Sequence, residues 1–360
     1  MHEQGHDRTL DFDGDGEDLA LQASLQPQAA RKPTVPGYEL DQLLGQGTFG
    51  EVWSGIQIST GQKVAVKTLH RADLGAVSYL QKEVSRLVEL SEHPNILSLI
   101  DARFDTQPAF IVTPRLQESL EQYTQSSLKI STVCQWMEEV AQALRFIHQR
   151  GILHCDLKPA NLLLDQEGRV RVVDFGQAHL LDHTGISLGT LWFMPPEQIP
   201  REGHPPQPEV AWDLYAWGAT AYCLLTGALP RQTAQADAKI DSLGDTKSQL
   251  QMYRDLLKSQ PLRPIRSASP KVDRDFSAIV EKALALNAEE RYGSASELLD
   301  DLRRRRQWRP VLARQHSISY RTRRFFQRNW IFTIFVGLAL VGLGFSVEKM
   351  RRDRALIARY

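Results

Sequence analysis

His154-Cys155-Asp156-Leu157-Lys158-Pro159-Ala160-Asn161, with Asp174-Phe175-Gly176 beginning thirteen residues beyond Asn161, gathers a carboxylate base, an ammonium cation and two oxygen donors into one short stretch. Between the two motifs, Leu162-Leu163-Leu164, the turn-like Gln166-Glu167-Gly168 and Val170-Arg171-Val172-Val173 predict a strand pair around a tight turn. Such a hairpin brings Asn161 and Asp174 together. Their oxygens suit Mg2+, which takes hard ligands from one or two side chains and completes its shell with phosphates and water. Phosphoryl transfer asks a protein for little covalent chemistry. It needs in-line positioning, charge neutralisation and a group that accepts the attacking hydroxyl's proton. A lone Asp-Phe-Gly is an ordinary turn; the joint spacing is what points to this chemistry.

Other parts of the same machinery follow in order upstream. Gly45-Gln46-Gly47-Thr48-Phe49-Gly50-Glu51-Val52 is a glycine-rich stretch in which bare backbone can approach phosphates closely. After a turn at Ser59-Thr60-Gly61, Val64-Ala65-Val66-Lys67 alternates as a strand that ends on an inward lysine. Leu80, Val84, Leu87 and Val88 fall at helical spacing and set Glu83 beside their stripe. Taken together, these motifs resemble the eukaryotic-type protein kinase superfamily, over about residues 38 to 306.

The resemblance implies a Lys67–Glu83 pair, with Lys67 on the nucleotide's α and β phosphates. It implies Asp156 as the base that orients the hydroxyl, Lys158 on the transferring phosphoryl group, and Thr190 supporting the geometry of both. Asn161 and Asp174 would hold Mg2+, and ATP would be the phosphoryl donor. The nucleotide-binding set comprises Gly45, Gln46, Gly47, Thr48, Phe49, Gly50, Val52, Ala65, Lys67, Thr113, Pro114, Leu116, Asn161, Leu163 and Asp174. Phe110-Ile111-Val112-Thr113-Pro114-Arg115-Leu116 resembles the last small-lobe strand running into a hinge. Pro114 lacks an N–H but keeps its carbonyl, so adenine would donate there and accept from the Leu116 amide.

Gly189-Thr190-Leu191-Trp192-Phe193-Met194-Pro195-Pro196-Glu197 resembles the end of an activation segment, with Phe193 and Pro195 departing from the commoner residues. Asp213 and Arg291 match two scaffold positions, Arg291 as the buried partner of Glu197. The lysine two residues after Asp156 resembles the serine/threonine-specific form, which implies protein substrates carrying Ser or Thr. Cys155 stands where many relatives carry an arginine that pairs with an activation-loop phosphate. Phosphorylation of Thr184, Ser187 or Thr190 therefore lacks that particular contact. A redox role for Cys155 is the lesser reading, because the neighbouring negative charge of Asp156 opposes thiolate formation. A nucleotide-binding pseudokinase scaffold is the alternative function; it predicts loss of a catalytic group, and none is missing. A kinase of small molecules is a third reading, against which the activation segment speaks.

A chain of 360 residues, 42% hydrophobic, suits one two-lobed catalytic unit with tails. Its expected fold class is α+β, with a mainly β small lobe, a mainly helical large lobe and a transmembrane helix at the end. Three separated cysteines, Cys134, Cys155 and Cys223, offer neither a disulfide framework nor a zinc site. The zero formal net charge hides an acidic start and a basic end. Asp11-Phe12-Asp13-Gly14-Asp15-Gly16-Glu17 imitates a calcium loop, but its twelfth position is Gln22 and no entering helix precedes it. Residues 1–36 are expected to be a disordered tail and residues 37–306 the kinase domain. Pro230 to Pro270 reads as a variable loop or surface helix.

From Arg303 to Arg328 there are ten arginines and no acid, and Trp330 to Val347 is a run of eighteen residues without a charge. This pattern predicts a basic juxtamembrane segment at 307–329, a transmembrane helix at 330–347 and a short tail at 348–360. Membrane lipids are then expected partners and nucleic acid is not. The expected placement is single-pass with the kinase domain in the cytoplasm, resembling bacterial membrane-anchored serine/threonine kinases; a eukaryotic tail-anchored kinase is the competing case. No Gly-x-x-x-Gly pair supports dimerisation through that helix.

Overall fold

A computed structural model describes residues 32–47, 50–69, 81, 84–126, 128–175, 188–200, 206–315 and 317–357. The acidic stretch around Asp11 and Glu17 lies outside them, as do Leu80 and Glu83. Alternating sequence builds a five-stranded antiparallel sheet from β1 (Tyr38–Gly47), β2 (Gly50–Gln57), β3 (Lys63–Leu69), β4 (Asp101–Arg103) and β5 (Phe110–Pro114), in the order β1-β2-β3-β5-β4. Its pleat sorts side chains by face. Trp53, Val64, Val66, Phe110 and Val112 are buried with Val35, Tyr38 and Leu40 in one apolar cluster. The opposite face carries the half-buried Val52, Ala65, Lys67 and Thr113, with Val52 registered on Lys67 and Ala65 on Thr113. Gly50 answers to the sheet itself, since a Cβ there would stand 1.9 Å from the Thr68 carbonyl oxygen.

The second lobe is mainly helical. In α1 (Ile130–His148), Val133, Trp136, Met137, Val140, Ala141, Leu144 and Ile147 recur every three or four residues and are buried. α2 (Val210–Thr226) is buried all the way round from Trp212 to Leu224 and stops at Gly227, whose φ of 69° is left-handed. The Trp217 indole donates to Met137 O at 2.8 Å and ties the two helices. A hairpin of β6 (Leu162–Leu164) and β7 (Val170–Val172) forms as the sequence predicts. Gln117 N donates to Leu164 O at 2.8 Å and Leu97 N to Val172 O at 3.0 Å, stitching the hairpin to the segments that flank the sheet.

Residues 230–270 are more structured than a loop. They form α3 (Ala234–Asp241) and α4 (Thr246–Ser259), which pack against Leu191, Trp192 and Met194. The Tyr253 hydroxyl donates to Met194 O at 2.8 Å, and Arg254 Nη2 donates to Ile199 O at 2.8 Å. α5 (Arg274–Ala283) and α6 (Ala295–Arg306) complete the core, capped by Asp273 and Ser294.

The chain continues into α7 (Ile318–Arg328) and α8 (Trp330–Ile357). Asp301, fully buried, accepts from Ala313 N at 2.9 Å, Leu312 N at 2.5 Å and the Tyr292 hydroxyl at 2.9 Å. Arg314 meets one oxygen of buried Asp275 at 2.6 Å and Arg324 meets the other. The expected transmembrane helix at 330–347 is not upheld: among the described residues no helix is long and apolar enough to cross a membrane. In α8, Glu348 and Lys349 follow the uncharged run from Trp330 to Val347 within the same helix. The single-pass placement with a cytoplasmic kinase domain in a bacterial cell membrane falls with it, as do the lipid partners of that anchor.

Two buried polar ties hold the helical lobe around the loop at 154–161. Asp213, at the start of α2 and fully buried, accepts from His154 N at 2.9 Å, Cys155 N at 2.8 Å and His148 Nε2 at 2.8 Å. Burial pushes this carboxyl up, yet the hydrogen bond and charge of His148 and the hydrogen bond from the His154 amide outweigh burial and hold it below the usual carboxylate range. Arg291 is buried and grips Glu197 with both terminal nitrogens, at 2.5 and 3.1 Å, while Ala211, Ala285 and Leu286 carbonyls accept its other protons.

A depressed folded-state value stabilises above the unfolded pKa, and that stabilisation is lost as pH falls through the folded value. Asp213→Asn is therefore expected to lower unfolding free energy by about 2–4 kcal/mol at neutral pH, with the deficit shrinking below about pH 4. Urea midpoints against pH check this. Glu197→Ala, which leaves Arg291 buried without its carboxylate, is expected to cost about 2–4 kcal/mol, less than a fully enclosed pair because Glu197 keeps one exposed edge. The same titrations measure it.

Candidate active site

The short loop ahead of the hairpin sets the site. Asp156 is buried to 7% exposure, and two donors converge on its Oδ2: Lys158 Nζ and Asn161 Nδ2, each at 3.0 Å. Asn161 Nδ2 gives its second proton to Asp156 O at 2.8 Å. Both amide protons are thereby used, which leaves the Asn161 side-chain oxygen as an acceptor. Lys158 Nζ also donates to Thr190 Oγ1 at 2.9 Å, so the lysine bridges the loop to the one-turn helix Leu188–Leu191.

His154 organises the loop from beneath. Its Nε2 lies 2.9 Å from Val173 O, an acceptor only, so Nε2 carries the proton and Nδ1 accepts from Asp156 N at 3.3 Å. Val173 N in turn donates to Asn161 O at 3.1 Å. These bonds join the two ends of the hairpin and bring Asn161 beside the residue preceding Asp174. Asp174 is exposed and adopts φ of 61°, a left-handed conformation uncommon outside glycine.

The donor set fits a magnesium ion. One carboxylate and one amide oxygen are hard ligands, and Mg2+ characteristically takes few from protein and the rest from phosphate and water. Among the described residues no group of three or more His, Cys, Asp or Glu is arranged to hold a metal by itself.

On the sheet side, Val52, Ala65, Lys67 and Thr113 share one face. Leu163 is half-buried on β6, and Ser119 bridges to it across the connection that follows Pro114 and Leu116. Among the described residues the Leu116 amide has no backbone acceptor, and it is free to bond a ligand. A Cβ on Gly45 would meet open space. Gln46 is exposed on β1, and Gly47 pairs with Gly50 across the β1–β2 turn. Glu83, Thr48, Phe49, Gly176, Thr184 and Ser187 lie outside the described residues.

Cys155 takes φ of 64° and gives its amide to Asp213, while its carbonyl accepts from Gln198 Nε2 at 3.0 Å. Burial first, then the charges of Asp213 and Asp156, push its thiol well above the ordinary range, with Arg86 pulling the other way. A thiol held protonated is a poor nucleophile, which argues against a redox role. Three contributors went unread in the sequence: Gln198, His148 and Arg86. None sits in a motif, and each is identified only by the distant backbone or carboxylate that it meets.

The chain matches the protein kinase domain family over residues 38–302. It is 35% identical over 217 residues to CBL-interacting protein kinase 16 of Oryza sativa subsp. japonica, covering 57% of this chain and 47% of that relative. It is 33% identical over 271 residues to serine/threonine-protein kinase Pkn1 of Myxococcus xanthus, covering 71% of this chain and 36% of that one. CBL-interacting serine/threonine-protein kinase 20 of Arabidopsis thaliana is 31% identical over 206 residues, at 54% and 46% coverage. The chain thus spans about half or less of the length of these curated relatives. With its motifs in order, its two lobes and a family match across most of its length, the chain belongs to the protein kinase domain family.

Proposed function

We propose that this chain is an ATP-dependent serine/threonine protein kinase. The observation that carries the reading is the convergence of Lys158 and Asn161 on one oxygen of buried Asp156, with Lys158 continuing to Thr190. In this reading the second oxygen of Asp156 receives the proton of the attacking Ser or Thr hydroxyl. Lys158 neutralises charge on the phosphoryl group in transit, and Thr190 keeps its ammonium in place.

Lys67 would meet the α and β phosphates, with Glu83 as its expected partner. The glycine-rich stretch from Gly45 to Gly50 would supply bare backbone to cover them. Adenine lies among Val52, Ala65, Thr113 and Leu163, bonded to the Pro114 carbonyl and the Leu116 amide. Asn161 and Asp174 would hold Mg2+, whose charge would offset that of the phosphates when bound. Residues 37–306 carry this machinery. The printed names of the Myxococcus and Arabidopsis relatives, both serine/threonine-protein kinases, support the choice of hydroxyl.

Incubation of the full chain with Mg-ATP and Ser/Thr-containing proteins should yield phosphoserine or phosphothreonine by mass spectrometry, and chelation of the metal should stop it. Asp156→Ala is expected to lower kcat by about 10²–10⁴-fold with little change in melting temperature. Nucleotide binding without any transfer, to itself or to protein, would instead favour a pseudokinase scaffold. Transfer confined to small molecules would move the assignment to another substrate class.

A further inference from the structure

Asp174 adopts a left-handed conformation, φ 61°, that residues other than glycine seldom take, and its neighbours on both sides are fixed. On one side the fixing is already described: Val173 donates to Asn161 and accepts from His154. On the other side, Phe175 O accepts from Arg86 Nη1 at 2.5 Å, across 89 residues of sequence. The Phe175 ring is buried and lies 5.1 Å, centroid to centroid, from the His154 ring. Arg86 belongs to the helical stretch 84–90, which is anchored because Leu87 and Leu90 are buried in the same core cluster as Phe175. Its guanidinium is also close enough to Cys155 to act on that thiol, so the cation stands at the junction of helix, loop and hairpin.

We propose that Arg86 is a positioning residue that clamps the Phe175 carbonyl and thereby sets the direction in which Asp174 presents its carboxylate to the metal. A charge-assisted hydrogen bond to a carbonyl is among the stronger neutral-acceptor contacts. It leaves Asp174 flanked by two pinned carbonyls, Val173 on His154 and Phe175 on Arg86. The strained residue between them has little freedom to turn away. The clamp also couples the helix to the site: a shift of 84–90 moves the guanidinium, and the carbonyl follows. This inference rests on the kinase reading given above.

Titration calorimetry of the full chain with ADP, in EDTA and then in MgCl2, separates the clamp from general damage. The natural chain is expected to bind ADP more tightly with the metal than without it. Arg86→Met should keep the metal-free affinity within about twofold and lose about tenfold of the metal-dependent gain, the worth of one charge-assisted hydrogen bond. Arg86→Lys, which keeps a cation and a donor on a flexible stem, should recover most of that gain.

The proposal is overturned if Arg86→Met retains the full gain. It is equally overturned if the lysine variant is as poor as the methionine one, or if metal-free affinity falls in step. A natural chain that shows no metal-dependent gain at all would sink the kinase reading as well. The two failures are therefore told apart by the unmutated control.

Discussion

Everything in the catalytic loop depends on one buried carboxylate. Asp213 receives the amides of two successive residues, His154 and Cys155, and a ring nitrogen of His148. Two neighbouring amides can converge on one anion only if the backbone folds into a concave nest, and the left-handed φ of Cys155 makes that fold. The strain there is offset by charge-assisted bonds made in a dry interior, where they are strongest. From this point the geometry propagates outward. His154, held by its amide, aims its ring at Val173 and Asp156; Asn161 then joins Asp156 to the hairpin.

The helical lobe applies a similar solution to the segment that follows Thr190. Glu197 is gripped by Arg291, Gln198 reaches Cys155, and α4 sends Tyr253 and Arg254 to the carbonyls of Met194 and Ile199. Four residues from distant parts of the chain thereby fix a stretch that has no regular secondary structure of its own beyond single turns. The position of Thr190 against Lys158 follows from that anchoring as much as from its own hydrogen bond.

Local pattern and motif spacing were enough to read much of this. Leu162-Leu163-Leu164 and the valine-rich Val170-Arg171-Val172-Val173 around Gln166-Glu167-Gly168 announced the hairpin, and Val64-Ala65-Val66-Lys67 announced a strand with its lysine and its valines on opposite faces. The loop's chemistry was legible because Asp156, Lys158 and Asn161 lie within six residues of one another. What escaped was pairing across long separations. Nothing in the composition around Arg86 says that its guanidinium meets the Phe175 carbonyl, or that Asp275 receives Arg314 and Arg324. Periodicity reports which face of an element is buried, not which buried polar groups meet. The expected membrane helix at 330–347 is likewise not upheld: among the described residues no helix is long and apolar enough to cross a membrane.

The arginine-rich stretch after α6 carries a different consequence. Asp275 and Asp301, both buried, take their partners from residues 312–324, beyond the point at which the family match ends at residue 302. Tyr320 adds a packed ring, and its hydroxyl accepts from Val311 N at 3.1 Å. An evolutionary boundary and a cooperative one therefore do not coincide here. The unit that melts as one piece is expected to extend some twenty residues past the recognisable domain, with amide protons as far along as Tyr320 sharing the exchange protection of the helical core.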